Sequence, residues 1–219
     1  MNRNFLWTMG WLGCLAVAGA PAWGAPAPGT IAVYSDGRVV KLLETRQKAT
    51  VWQDHRLRRI TYPANPVLPP RQRIGLDGRL QYREILDQGN PAGLLEAAPG
   101  TTVDFRTQRV NAKGVTSSRN YQCTALGPDR VRVLGRDEPV RRFRCERYTV
   151  HHKLWTRQVK EIRELAYSPR LRLIVDQVRR RPAKGTVRER RLVALIPPGK
   201  YRYADLRSLL AAQHGGTAQ

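Results

Sequence analysis

Cysteine, histidine and acid are all scarce in this chain, whose 219 residues hold 3 Cys, 4 His and 17 Asp plus Glu. Each shortage closes a class of chemistry. No Cys-x-x-Cys pair exists, so neither a thiol redox motif nor a cysteine-rich zinc site is expected. No Gly-x-Ser-x-Gly elbow, phosphate-binding loop or dinucleotide fingerprint occurs, and the common hydrolase, nucleotidase and dehydrogenase patterns lose their sequence support. No cofactor and no metal are expected. His151 and His152 are adjacent and point to opposite faces of any strand that holds them, a poor metal pair; His55 and His214 stand alone. Asp54-His55 reads as a turn rather than as half of a triad. Glu161 and Glu164 lie among basic residues and read as salt-bridge partners rather than as an acid/base pair.

Long apolar runs are also missing, with one exception at the start. Arg3 precedes the stretch Phe5 to Ala20, and Ala22-Trp23-Gly24 puts small residues before Ala25. This is the pattern of a secretory signal, and it predicts cleavage near Gly24/Ala25 and an exported, periplasmic chain. An uncleaved anchor is disfavoured because a spanning helix needs about 20 apolar residues. Lipidation of Cys14 is the minor alternative. The mature chain has no further apolar segment long enough to span a membrane as a helix.

What the chain has in excess is arginine. Lys plus Arg total 39, of which 32 are Arg, for a net charge of +22. Such a surface attracts phosphate-rich partners. Outside a cytoplasm these are anionic envelope lipids or lipopolysaccharide, with an envelope protein as the other partner considered; export sets nucleic acid aside. Arg179, Arg180, Arg181, Arg188, Arg190 and Arg191 flank one predicted hairpin and are the candidate anionic-surface clamp, set against the plainer reading of a solvated hairpin.

Cleavage leaves two cysteines, Cys123 and Cys145, and an even pair in an oxidising compartment reads as a disulfide. The bridge closes a loop of about 20 residues and contributes about 3 kcal/mol by the chain-entropy estimate.

Alternation of apolar and basic residues, as in Val131 and Val133 or Leu171 and Leu173, predicts half-buried antiparallel strands. The expected class is mostly β: an antiparallel meander forming an open barrel, curved sheet or sandwich, with a short C-terminal helix. The organisation reads as a signal peptide (1–24), a linker (25–30), an N-terminal meander (31–62) turning at Asp36-Gly37, a Pro-rich connection (63–92), a main sheet (93–198), and a helix with a loose tail (199–219). Leu80–Leu86 reads as a short helix, Gly127-Pro128 as a turn, and a helix is the alternative for 156–167. Tyr201 and Tyr203 beside basic residues are the only stacking aromatics noted there.

The ordered series Pro99-Gly100-Thr101-Thr102-Val103-Asp104-Phe105, Tyr121-Gln122-Cys123, Phe143-Arg144-Cys145 and Leu165-Ala166-Tyr167-Ser168-Pro169 resembles exported, β-rich proteobacterial proteins of unknown function. The likeness covers about residues 93–196 and departs at Asp137-Glu138-Pro139-Val140 and at Arg172. It implies periplasmic location and an antiparallel sheet, and no reaction. A looser architectural analogy is to LolA- and LolB-type lipoprotein carriers. The expected function is a non-enzymatic envelope protein that binds something anionic. The alternatives are a lipid or lipoprotein carrier or sensor with a sheet-lined apolar cavity, and a hydrolase without a recognisable motif.

Overall fold

The structure, a computed structural model, describes residues 24–151 and 156–200. The signal segment with Cys14, His152, His214, Tyr201, Tyr203 and the expected C-terminal helix lie outside the described residues, as does the side chain of His151.

Twelve strands form among them: β1 (Ile31–Tyr34), β2 (Val39–Arg46), β3 (Ala49–Asp54), β4 (Arg59–Pro63), β5 (Gln72–Ile74), β6 (Leu80–Gln88), β7 (Thr102–Asn111), β8 (Thr116–Val133), β9 (Arg136–His151), β10 (Thr156–Ser168), β11 (Leu173–Arg181) and β12 (Thr186–Ile196). Each pairs antiparallel with its neighbours in sequence, and β1 returns to β12 with Ile31 opposite Ile196. The sheet is thus a closed barrel rather than an open or sandwiched one. Residues 31–62 supply four of its strands and are continuous with the main sheet. Closure leaves no long edge exposed.

Two local expectations change. Leu80–Leu86 is strand β6, not helix: Tyr82 and Glu84 are buried two residues apart, and the segment is paired on both sides, to β5 and β7. Residues 156–167 are strand, as first read, and not the alternative helix. Gly127-Pro128 is no turn but a bulge inside the continuous strand β8, where Ala125 faces Phe143 and Gly127 faces Arg142. Gly127 holds a φ of +97°, and a Cβ there would lie 2.7 Å from the Pro99 ring. A bulge redirects which side of a strand is buried. In β9 the buried residues are Glu138 and Val140, then Phe143 and Cys145, a shift of phase across the bulge.

Register identifies the inward face. Leu42, Trp52, Ile60, Arg73 and Tyr82 are successive cross-strand partners on β2 to β6, and Phe105, Tyr121 and Arg147 form a separate row on β7 to β9. Nearly all of these are buried. One apolar cluster joins Tyr34, Leu42 and Trp52 to Val133, Val140, Leu171, Val175 and Leu192. A second gathers Phe105, Tyr121, Cys123, Phe143, Cys145 and Leu165 around Val67 and Leu94. Val67 belongs to the Pro-rich connection and Leu94 to a 3-10 helix, Pro91–Leu95, so both long connections fold inward and plug the barrel. Asn65 ties them together: its Nδ2 donates to the Pro91 carbonyl at 2.8 Å. Cys123 and Cys145 are direct partners on β8 and β9 and form the expected disulfide.

Candidate anion-binding interior

Beyond the plug the inward face changes character. Along one cross-strand row the residues run Val103, Cys123, Cys145, Arg163, Arg179, Arg188. The adjacent row runs Phe105, Tyr121, Arg147, Glu161. Strand alternation puts these side chains shoulder to shoulder. The Glu161 side chain, 7% exposed, is ringed by four arginines: Arg179 hydrogen-bonds it, and Arg181, Arg147 and Arg163 approach to 3.5, 3.8 and 3.9 Å. Burial would raise the pKa of Glu161, but the bond and charge of Arg179, with Arg163 and Arg147, outweigh burial and hold it below the ordinary value. Arg163 also donates to the Val67 carbonyl at 3.0 Å, locking the ring to the plug.

A second inward carboxylate, Glu84, accepts from Thr107 at 2.8 Å and from the Tyr121 hydroxyl at 3.2 Å, with Arg119 at 3.6 Å. Beside it, Arg109 stacks on the Tyr82 ring at 3.6 Å and Arg73 approaches the same ring at 5.3 Å. Burial, with repulsion from Arg119 and Arg73, lowers the pKa of Arg109. The arginines therefore crowd one another. Seven of them (Arg73, Arg109, Arg119, Arg147, Arg163, Arg179 and Arg181) share two carboxylates in this region of the described residues. The Nε atoms of Arg73 and Arg179 and the Thr149 hydroxyl are buried with no hydrogen-bond partner. Buried donors of this kind are ready to receive an acceptor, and guanidinium groups suit planar or tetrahedral oxyanions.

The six hairpin arginines do not form one clamp. Alternation along β11 and β12 divides them between two faces. Arg179 and Arg181 turn inward to Glu161. Arg188 faces Arg179 and makes no ion pair among the described residues. Arg190 bonds Asp36 at 2.7 Å and lies over Tyr34. On the other face Arg180 bonds Glu164 at 2.8 Å and Arg191 lies 3.9 Å from Asp176. Glu161 and Glu164 are ion-pair partners, as expected. Sequence reasoning missed Arg73, Arg109, Arg119, Arg147 and Arg163, which come from five other strands and meet only through register.

The other expected sites are accounted for structurally. Asp54 closes a turn, accepting from the Arg56 and Arg58 backbones at 3.0 and 3.1 Å and from the Arg58 guanidinium at 2.6 Å. Exposed His55 follows in that turn. Buried Ser168 donates to Glu138 at 2.5 Å, but that carboxylate is held by Arg170 and the Ser168 oxygen accepts from the Leu171 N–H. A serine nucleophile needs a base, and this one has a cation-bound carboxylate. No group of three or more metal-ligating side chains occurs among the described residues.

No protein-family model matches the chain, and no curated protein matches it in sequence. Among solved structures, the hypothetical lipoprotein YmcC of Escherichia coli K12 is similar over 77% of this chain and 84% of its own, at 11% identity and a TM-score of 0.47. A protein with a YmcC-like fold from Bacteroides fragilis is similar over 80% of this chain and 99% of its own, at 11% identity and a TM-score of 0.39.

Proposed function

We propose that this is an exported, non-enzymatic envelope protein that binds an anionic envelope component in its barrel. The surplus of inward arginines over inward carboxylates carries the reading. Four guanidinium groups on Glu161 alone leave a local positive charge that the fold does not neutralise. The side chains of Arg179 and Arg181 remain 34% and 37% exposed, so a solvent-borne anion reaches them. The leader-like N-terminus and the disulfide support export, since such bonds persist in oxidising compartments. The carrier alternative asks for a continuous apolar concave surface, and the inward face is instead divided between a plug and arginines.

The test is binding of phosphorylated lipopolysaccharide against its dephosphorylated form over a salt titration. Preferential binding of the phosphorylated form, weakening with ionic strength, is expected. Glu161→Gln should tighten it, because the carboxylate competes with the ligand for the same guanidinium groups, while Arg163→Gln/Arg179→Gln together should weaken it. Equal binding of both forms, or a Glu161→Gln protein that binds no better, overturns the reading.

A further inference from the structure

Strand β5 is three residues long, and the barrel wall is thinnest where it joins β4 to β6. Just before it, Arg71 bridges the gap with its backbone alone: its N–H donates to the Thr61 carbonyl at 2.8 Å and its carbonyl accepts from the Glu84 N–H at 2.6 Å. Two concavities of about 270 and 380 Å³ open at this seam and share Arg71 and Gln72. The first is basic, lined by Arg46, Lys48 and Arg71. The second sets Pro63, Leu68, Pro69, Ile85 and Leu86 beside Arg83, Glu84 and Thr107 in its wall. Arg46 is engaged by Glu44 at 2.7 Å, but Lys48 and Arg71 make no ion pair among the described residues. Ile85 and Leu86 are 52% and 41% exposed. A free pair of cations thus adjoins an uncovered apolar strip.

We propose that this seam binds an anionic amphiphile with a single alkyl chain, its carboxylate or phosphate head on Arg71 and Lys48 and its chain along Leu68, Ile85 and Leu86. Charge complementarity fixes the head end, because an uncharged apolar partner leaves both cations unpaired. The larger concavity lies at the low end of small-ligand pockets, roughly 300–1,000 Å³, which suits one chain rather than a multi-acyl lipid. The site borders the interior at Glu84 and Thr107 but shares no residue of the Glu161 ring, and it stands or falls independently of that ring.

Calorimetric titration of the mature chain with dodecyl phosphate and with laurate, each below its micelle concentration, tests the assignment. Dodecyl maltoside supplies the chain with a neutral head, and inorganic phosphate the head without a chain. Binding of one or both anionic probes is expected, and their ratio identifies the preferred head. Arg71→Gln, which keeps the backbone bridge, should weaken binding about tenfold, and Leu86→Asp should do the same. Arg180→Gln, on the outward face of β11 and paired with Glu164, should leave it unchanged. Dodecyl maltoside binding as tightly as dodecyl phosphate, full affinity in Arg71→Gln, or loss of affinity in Arg180→Gln each overturns the proposal.

Discussion

One face of β8 to β11 carries two unlike regions. Around Cys123, Cys145, Phe143 and Leu165 the inward side chains are apolar and are covered by Val67 and Leu94. Two to four residues further along β9 and β10, and across to β11, they are Arg147, Arg163 and Arg179 gathered on Glu161. The first region releases apolar surface from water and stabilises the barrel directly. The second desolvates charge, and an ion pair removed from water returns little net stability. A chain selected for stability alone would extend the apolar row across β11. The arginines instead weaken the fold locally and leave a charged interior, a trade common where a site must bind.

The largest expected effect comes from breaking the apolar side. Phe143 is 1% exposed and belongs to the apolar cluster that contains the disulfide, Val67 and Leu94. Phe143→Ala should cost about 3–5 kcal/mol, read as a drop in the urea midpoint of the oxidised protein. If the loss is under about 1 kcal/mol, the two regions are not energetically distinct in the way argued.

The next effect sharpens the polar side. Glu161→Gln removes the shared partner of four arginines and should destabilise by about 2 kcal/mol, below the full cost of a broken buried pair because the arginines keep partial access to water. The pH dependence has a fixed sign. The pKa of Glu161 is lower folded than its reference value of 4.5. Its ionised form therefore stabilises the fold above that value, and the contribution is lost as pH falls through the folded pKa. Thermal melting of the wild-type chain should fall on acidification below about pH 4.5, and Glu161→Gln should fall less over the same window. Parallel acid profiles would remove Glu161 as the source.

Much of the apolar region was legible in sequence and little of the charged one. Period-two alternation, the Asp36-Gly37 hairpin and the cysteine pair are local signals, and each led to the observed strand, turn or bond. Closure of β1 on β12 was not legible, because it joins residues some 160 positions apart through a register set by every strand between. Alternation also does not say which face is inward. In β11 the basic residues occupy both parities, so Arg179 and Arg180 look alike until Glu161 and Glu164 are placed on opposite sides. β6 carries Arg83, Glu84 and Asp87 within a short apolar pattern that fits either a helix or a strand, and only its partners decide. The bulge at Gly127 resembles a turn in sequence because glycine with a positive φ serves both.

The smallest effect tests that division of faces most closely. Arg180 and Glu164 form an outward pair with side chains 43% and 31% exposed. Exposed pairs of this kind contribute about 0.2–1 kcal/mol. Arg180→Ala should therefore change the urea midpoint slightly and leave anion binding intact. Arg179→Ala, one residue away, should weaken anion binding while also relieving part of the crowding around Glu161, so its stability change is small for a different reason. The two variants match in charge lost and in distance along the chain, and differ only in the face they occupy. If both weaken binding equally, net charge rather than the inward geometry governs the interaction, and the interior loses its claim as the site.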